Sequence, residues 1–197
     1  MPRPTCPTCH RPLKVCYCSA LVHIPNQIRV LIIQHPQEEK HPFNTGRIAH
    51  LCLDNCVLVI GEQFTKEDWA EMLTPGSALL YPSLSWLPDT DAGQSKAAKP
   101  RNVDQLVVID ATWRKSKKIL HLNPALQALP RISLEGDLQS NYQVRRSSLP
   151  DSLSTVESIA MAMQQLEPQH DFQPLLRPFE KMIALQQGSA AGRDCGE

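Results

Sequence analysis

Short apolar runs of strand length alternate along this chain with stretches that carry apolar residues at helical spacing. Ile28 to Gln34, Val57 to Ile60, Ala78 to Tyr81 and Leu106 to Ile109 are four such runs. Each is rich in aliphatic or β-branched residues, as buried strands are. Between them, Asn44-Thr45 caps a helix through Ile48, Leu51 and Cys52, and Thr65-x-x-Asp68 opens another that holds Trp69 and Leu73. Gly76, Pro82 and Pro88 punctuate the turns. This alternation predicts an α/β domain built on a mostly parallel sheet. Asn123-Pro124 then starts a short helical turn, and Pro130 to Ile132 and Asn141 to Arg145 read as extended. Ser154-Thr155-Val156-Glu157 has the pattern of a capping box and begins a helix of Ile159, Ala160, Met163 and Leu166. A last helix is expected over about Gln173 to Gln187. Residues 84–104 form a polar loop too long for a plain connector. It is either a lid, since it leaves the strand of Tyr81 and returns to that of Asp110, or a disordered surface loop.

The densest chemistry lies in Gln105 to His121, QLVVIDATWRKSKKILH. A buried strand breaks off at Asp110, which places an acid at the rim of the sheet. Thr112 offers a side-chain oxygen where a helix N-cap is wanted. On the helix that follows, Arg114, Lys115, Lys117 and Lys118 share one arc, and Trp113, Ser116, Ile119 and Leu120 share the opposite one. Cations in the first turns oppose the helix dipole, so the arrangement favours a bound anion such as phosphate. A solvated basic face is the alternative reading of the charge run. Asp110 has a structural alternative as a carboxylate bonded to nearby backbone, and Trp113 as a core aromatic.

At 197 residues the chain suits one well-cored domain with a small appendage. Its formal charge of zero gives no global nucleic-acid signal, so any RNA contact must come from local clusters. Those clusters are 114–118, Arg145-Arg146, and Lys14, Arg11 and Arg3 near the start. The N-terminus lacks the apolar core of a signal peptide, and no apolar run reaches membrane-spanning length. A cytoplasmic protein with no membrane contact is expected. Seven cysteines in a reducing compartment point to metal or redox chemistry before disulfides. Cys6, Cys9, Cys16 and Cys18 follow C-x2-C-x6-C-x-C in a segment stiffened by Pro4, Pro7 and Pro12. Four thiolates fit tetrahedral zinc with no open position, which predicts a structural site. A redox pair or an iron–sulfur cluster is the alternative, and His10 is a substitute ligand that a full cysteine set makes unnecessary. Cys52 and Cys56 read as small hydrophobes, and Cys195 sits in a Gly/Ala-rich tail.

Asp110-Ala111-Thr112-Trp113 matches the D-x-T-W signature of the DTW-domain family, and the chain resembles its bacterial tRNA-uridine aminocarboxypropyltransferases. The Cys-rich start, Gln34-His35-Pro36, Asn44 to Ala49, Leu80 to Ser83 and Leu153 to Glu157 stand in the order that resemblance requires, over roughly Cys6 to Ala184. It implies a SPOUT-like α/β sheet with a C-terminal trefoil knot. Knots are rare enough that only the resemblance supports one. The implied organisation is a four-cysteine zinc-binding module at 1–24, a catalytic domain at 25–188 and a disordered tail at 189–197.

The resemblance also implies the chemistry. N3 of a variable-loop uridine in tRNA takes the 3-amino-3-carboxypropyl group of the co-substrate S-adenosylmethionine, and 5′-methylthioadenosine leaves. Position by position, the co-substrate would be held by Tyr81, Pro82, Ser83, Asp110, Arg131, Leu134, Leu153, Ser154 and Thr155. Asp110 is the expected general base if burial raises its pKa. Thr112 is expected to cap the helix, and Trp113 to wall the adenine or uracil. Arg47, His35 and Ser83 are candidates for the amino and carboxylate groups of the transferred unit. Arg47, Arg114, Lys115, Lys117, Lys118, Arg145 and Arg146 are the expected RNA contacts. Monomer and homodimer both fit. Two other classes stay open: a SPOUT-like RNA methyltransferase using the same co-substrate, and a non-catalytic zinc-module RNA-binding protein.

Overall fold

Five strands form the sheet at the centre of the computed structural model, which describes residues 4–82, 102–134 and 153–191. They are β1 (Arg29–Gln34), β2 (Cys56–Ile60), β3 (Ser77–Leu80), β4 (Gln105–Asp110) and β5 (Arg131–Ile132), in the spatial order β2-β1-β4-β3-β5. Every pairing between them is parallel. Four coincide with the apolar runs to within one residue at each end, and β5 is the extended segment after Pro130. Ser83, Arg145, Arg146, the extended segment expected at 141–145, most of the 84–104 loop and the tail beyond Ala191 lie outside the described residues.

Successive strand residues point to opposite faces, and helices cover both. Val30, Ile32, Ala78, Leu80, Leu106 and Val108 join one apolar cluster with α1 (Thr45–Cys52), α5 (Thr155–Leu166) and α6 (Arg177–Ala191). Leu31, Ile33, Leu79 and Val107 meet Trp69 of α2 (Lys66–Met72), Ile119 and Leu120 of α3 (Trp113–Leu122) and Leu126 of α4 (Pro124–Gln127). Burial on both faces is why the strands read as continuous apolar runs instead of alternating ones.

The helix starts follow the expected chemistry at three places. Asn44 accepts the Arg47 N–H, and Thr65/Asp68 and Ser154/Glu157 form reciprocal capping boxes. At α3 the expectation fails, because Thr112 occupies the N-cap position but its hydroxyl makes no cap bond. Its side chain is exposed instead. The last helix also differs: a 3-10 turn at Gln173–Leu176 leads into α6, which continues past Gln187 to Ala191 and so into the segment expected as tail. No helix among the described residues is long and apolar enough to cross a membrane.

Two features bind the ends of the chain to the sheet. Glu167, buried after α5, accepts the N–H groups of Gln27 and Ile28 at 3.0 and 2.6 Å just before β1. The cysteine-rich start is continuous with the main core: Cys6, Cys9 and Tyr17 belong to the same apolar cluster as Ile24, Ile48, Phe179 and Met182.

This topology has a switch point between β1 and β4. The chain leaves β1 toward β2 through α1 on one face and leaves the adjacent β4 toward β5 through α3 and α4 on the other. Such a switch point opens space outside the carboxyl ends of the strands, where ligands bind in α/β sheets.

Candidate active site and metal centre

Gln34 and Asp110, the last residues of β1 and β4, are register partners at that switch point. Both are buried, with 0% and 6% exposure. Gln34 Nε2 donates to Asp110 Oδ2 at 2.7 Å and to Asn44 Oδ1 at 2.8 Å. Thr155 Oγ1, at the start of α5, donates to Asp110 Oδ1 at 2.5 Å. Gly46 supplies the room, since a Cβ there would stand 2.5 Å from Asp110 Oδ2. Burial pushes the Asp110 carboxyl above the ordinary carboxylate value, against the opposing pull of the Thr155 and Gln34 hydrogen bonds.

A cavity of about 620 Å³ opens beside this network, within the range of small-molecule sites. Of the expected co-substrate residues, Tyr81, Pro82, Leu134, Leu153 and Thr155 line it, whereas Asp110, Arg131 and Ser154 do not. Ser154 is engaged in the capping box, donating its hydroxyl to Glu157 Oε2 at 2.6 Å. Thr112 and Trp113 also line the cavity. Trp113 is not a core aromatic: it is 55% exposed and stands edge-on to Tyr81, with ring centroids 5.8 Å apart. The first turn of α3 rises beyond the end of β4, so the apolar arc of this helix reaches the core only from Ser116 onward. Ser133, between the expected Arg131 and Leu134, lines the cavity too, as do Ser116 and Ser158, which the sequence does not mark as cavity residues. For Ser116 the signal was its place on the inward arc, and it hydrogen-bonds the Tyr81 hydroxyl at 2.8 Å. None of the described lining residues carries a formal charge.

The basic face of α3 is divided. Lys115 pairs with Glu38 at 2.7 Å and Lys118 with Glu62 at 2.6 Å. Glu62 also accepts from His35 Nε2, and His35 Nδ1 accepts the Gln37 N–H at 3.1 Å. Lys118 foremost holds the Glu62 carboxyl below its ordinary value. Two of the four cations therefore tie α3 to the loops after β1 and β2, and His35 joins those two loops to each other. Arg114 and Lys117 are exposed and form no ion pair with a described residue. Arg47 does not line the cavity. It is half-buried, its Nε lacks a hydrogen-bond partner among the described residues, and its charge acts on Tyr17.

At the N-terminus the four expected cysteines converge, their sulfurs all within 4.8 Å of one another. Cys6 and Cys18 Sγ are 3.6 Å apart and Cys9 and Cys16 Sγ 3.7 Å. Tetrahedral zinc with thiolate bonds near 2.3 Å needs sulfurs about 3.8 Å apart, so the set fits such an ion. The loop folds back on itself: His10, with φ of 58°, turns the chain after Cys9, and Cys6 N–H reaches the Arg11 carbonyl at 2.7 Å. Backbone N–H groups of Cys9 and Thr8 pull the Cys6 thiol down to about 6. His10 is exposed and outside the cluster. Cys52 and Cys56 behave as small hydrophobes, and burial pushes the Cys56 thiol up to about 12.

Residues 3–187 match the profile of the DTW domain. A mouse protein named tRNA-uridine aminocarboxypropyltransferase 2 is 33% identical over 193 residues, which cover 93% of this chain and 64% of the mouse protein. The Drosophila melanogaster protein of the same name is 34% identical, over 96% of this chain and 77% of its own length. An Arabidopsis thaliana protein named tRNA-uridine aminocarboxypropyltransferase A is 21% identical, over 93% and 81% respectively. The chain thus spans just under two thirds of its mouse relative. No solved structure matches it.

Proposed function

The chain belongs to the DTW domain family, and from that membership we propose that it transfers the 3-amino-3-carboxypropyl group of S-adenosylmethionine to N3 of a variable-loop uridine in tRNA. The observation that carries this reading is the cavity at the carboxyl ends of β4, β3 and β5, walled by Thr112 and Trp113 of the D-x-T-W segment with Asp110 directly behind. Tyr81, Pro82, Leu134, Leu153 and Thr155 would hold the co-substrate. When bound, S-adenosylmethionine supplies an electrophilic methylene beside a sulfonium that departs as the neutral thioether 5′-methylthioadenosine. The protein must position uracil and accept its imide proton. Asp110 is the proposed base. The exposed face of Trp113 suits stacking on a nucleobase, as aromatic platforms do elsewhere. Four closed thiolates suit structural zinc, a chemistry at home in a reducing cytoplasm.

A SPOUT-like knot is part of the same proposal. The chain leaves β5 at the edge of the sheet, yet by Thr155 it is back at the centre, bonded to the end of β4. Residues 135–152 lie outside the described residues.

For tRNA contact, Arg114 and Lys117 are the exposed cations of α3 that form no ion pair with a described residue. Arg114→Ala with Lys117→Ala should weaken tRNA binding and reduce the slope of log affinity against log salt by about two, one per lost phosphate contact. Lys118→Ala should change that slope little, because Lys118 already pairs with Glu62. Equal slopes for the double variant and wild type would make this a solvated face. The function itself is tested by digesting tRNA incubated with the protein and S-adenosylmethionine. A uridine heavier by one aminocarboxypropyl group is expected, and a methylated or unchanged base would overturn the proposal.

A further inference from the structure

We propose that Asp110 takes the uridine imide proton through the hydroxyl of Thr155, which is the member of the pair that stands in the cavity. This rests on the transferase reading above. Asp110 is buried and absent from the cavity wall, whereas Thr155 is part of that wall. Both carboxylate oxygens are engaged: Oδ2 by Gln34 Nε2, on the side where Gly46 packs closely, and Oδ1 by Thr155 Oγ1. A proton entering from the cavity reaches Thr155 first.

The hydroxyl is suited to the task. It donates its own proton to Asp110, which leaves its lone pairs to accept another. Threonine has few side-chain rotamers, and here it opens a helix whose preceding residue is locked in the Ser154/Glu157 capping box. Its oxygen is therefore held in place before substrate arrives.

The N3–H proton passes to Thr155 Oγ1 while the Thr155 proton passes to Asp110 Oδ1. The N3 electron pair forms the new N–C bond, and the C–S bond breaks with its pair going to sulfur, which discharges the sulfonium. Thr155 ends unchanged, and Asp110 later returns its proton to water. The titratable groups acting on Asp110 are Glu38 and His41, both between β1 and α1, the first raising and the second lowering its pKa.

The test compares Thr155→Val, which removes the hydroxyl at constant shape, with Thr155→Ser, which restores it, and uses Thr155→Ala as a second hydroxyl-free variant. In the valine and alanine variants kcat should fall by roughly 10²-fold, the scale of a lost general-base path, a larger effect than any rise in KM for S-adenosylmethionine from the lost wall contact. The Asp110 carboxyl carbon, followed by 13C NMR, should titrate at higher pH in both, because a donor to the ionised form is lost. The serine variant should restore both quantities. Near-normal kcat without the hydroxyl, or a serine variant as slow as valine, would overturn the relay. An inactive wild type run in parallel would remove the transferase reading instead, and the relay with it.

Discussion

Asp110→Asn is expected to fold normally and to turn over roughly 10²-fold or more slowly than wild type, the loss that accompanies removal of a general base. The hydrogen-bond geometry tolerates the change. An asparagine can accept from Gln34 Nε2 with its carbonyl and donate to Thr155 Oγ1 with its amide, replacing the contacts that Asp110 makes at 2.7 and 2.5 Å. What it cannot do is take a proton. The stability side has a definite sign. Burial raises the Asp110 pKa in the folded protein, so its favourable contribution is complete below the unfolded carboxylate pKa and is lost as pH rises through the folded one. Near neutral pH the ionised carboxylate costs stability, and the neutral asparagine should leave the unfolding midpoint equal to or above that of wild type. Turnover at saturating S-adenosylmethionine and a denaturant titration check the two halves together. Full activity would return Asp110 to a structural role, and a large loss of stability would contradict the burial argument.

The second large effect is expected at the cysteine cluster. Protein purified without chelator should carry one zinc, and Cys6→Ser with Cys9→Ser should lose it. The consequence should reach the whole fold, because Tyr17, between Cys16 and Cys18, is 1% exposed within the cluster that contains Ile24, Phe179 and Met182. Structural zinc contributes about 10–16 kcal/mol in small peptides, and even a third of that is a large share of a typical net stability of about 5–15 kcal/mol. A fall in Tm of roughly 10 °C or more follows for a domain of this size. Metal analysis and thermal unfolding, with and without chelator, decide it. Unchanged zinc in the double variant would contradict the ligand assignment, and an unchanged Tm would detach the module from the core.

The strands, the two capping boxes and the position of Asp110 at the rim were legible because each is written in local pattern: apolar runs, S/T-x-x-D/E spacing, an acid ending a β-branched run. The cysteine set was legible for the same reason. Gln34 was not, as a role. It holds Asp110 only through the register of two strands whose paired residues lie 76 positions apart, and a polar residue ending a strand gives no periodic signal. Likewise the helical arc showed where Lys115 and Lys118 point, but not that Glu38 and Glu62 await them from 77 and 56 residues away. Trp113 falls on the apolar arc by angle, yet its place at the first turn, beyond the end of the sheet, puts it in the cavity wall. Angle is a property of the local sequence; height above the sheet is a property of the assembled fold.

The central claim is that the carbon chain of the co-substrate, and not its methyl group, reaches the uridine, and two labels placed in S-adenosylmethionine decide it. With tRNA from cells lacking the activity, label in the methionyl backbone should enter RNA while methyl label is recovered in 5′-methylthioadenosine. Methyl label in RNA with S-adenosylhomocysteine as by-product, or no label in RNA from either position, would contradict the account.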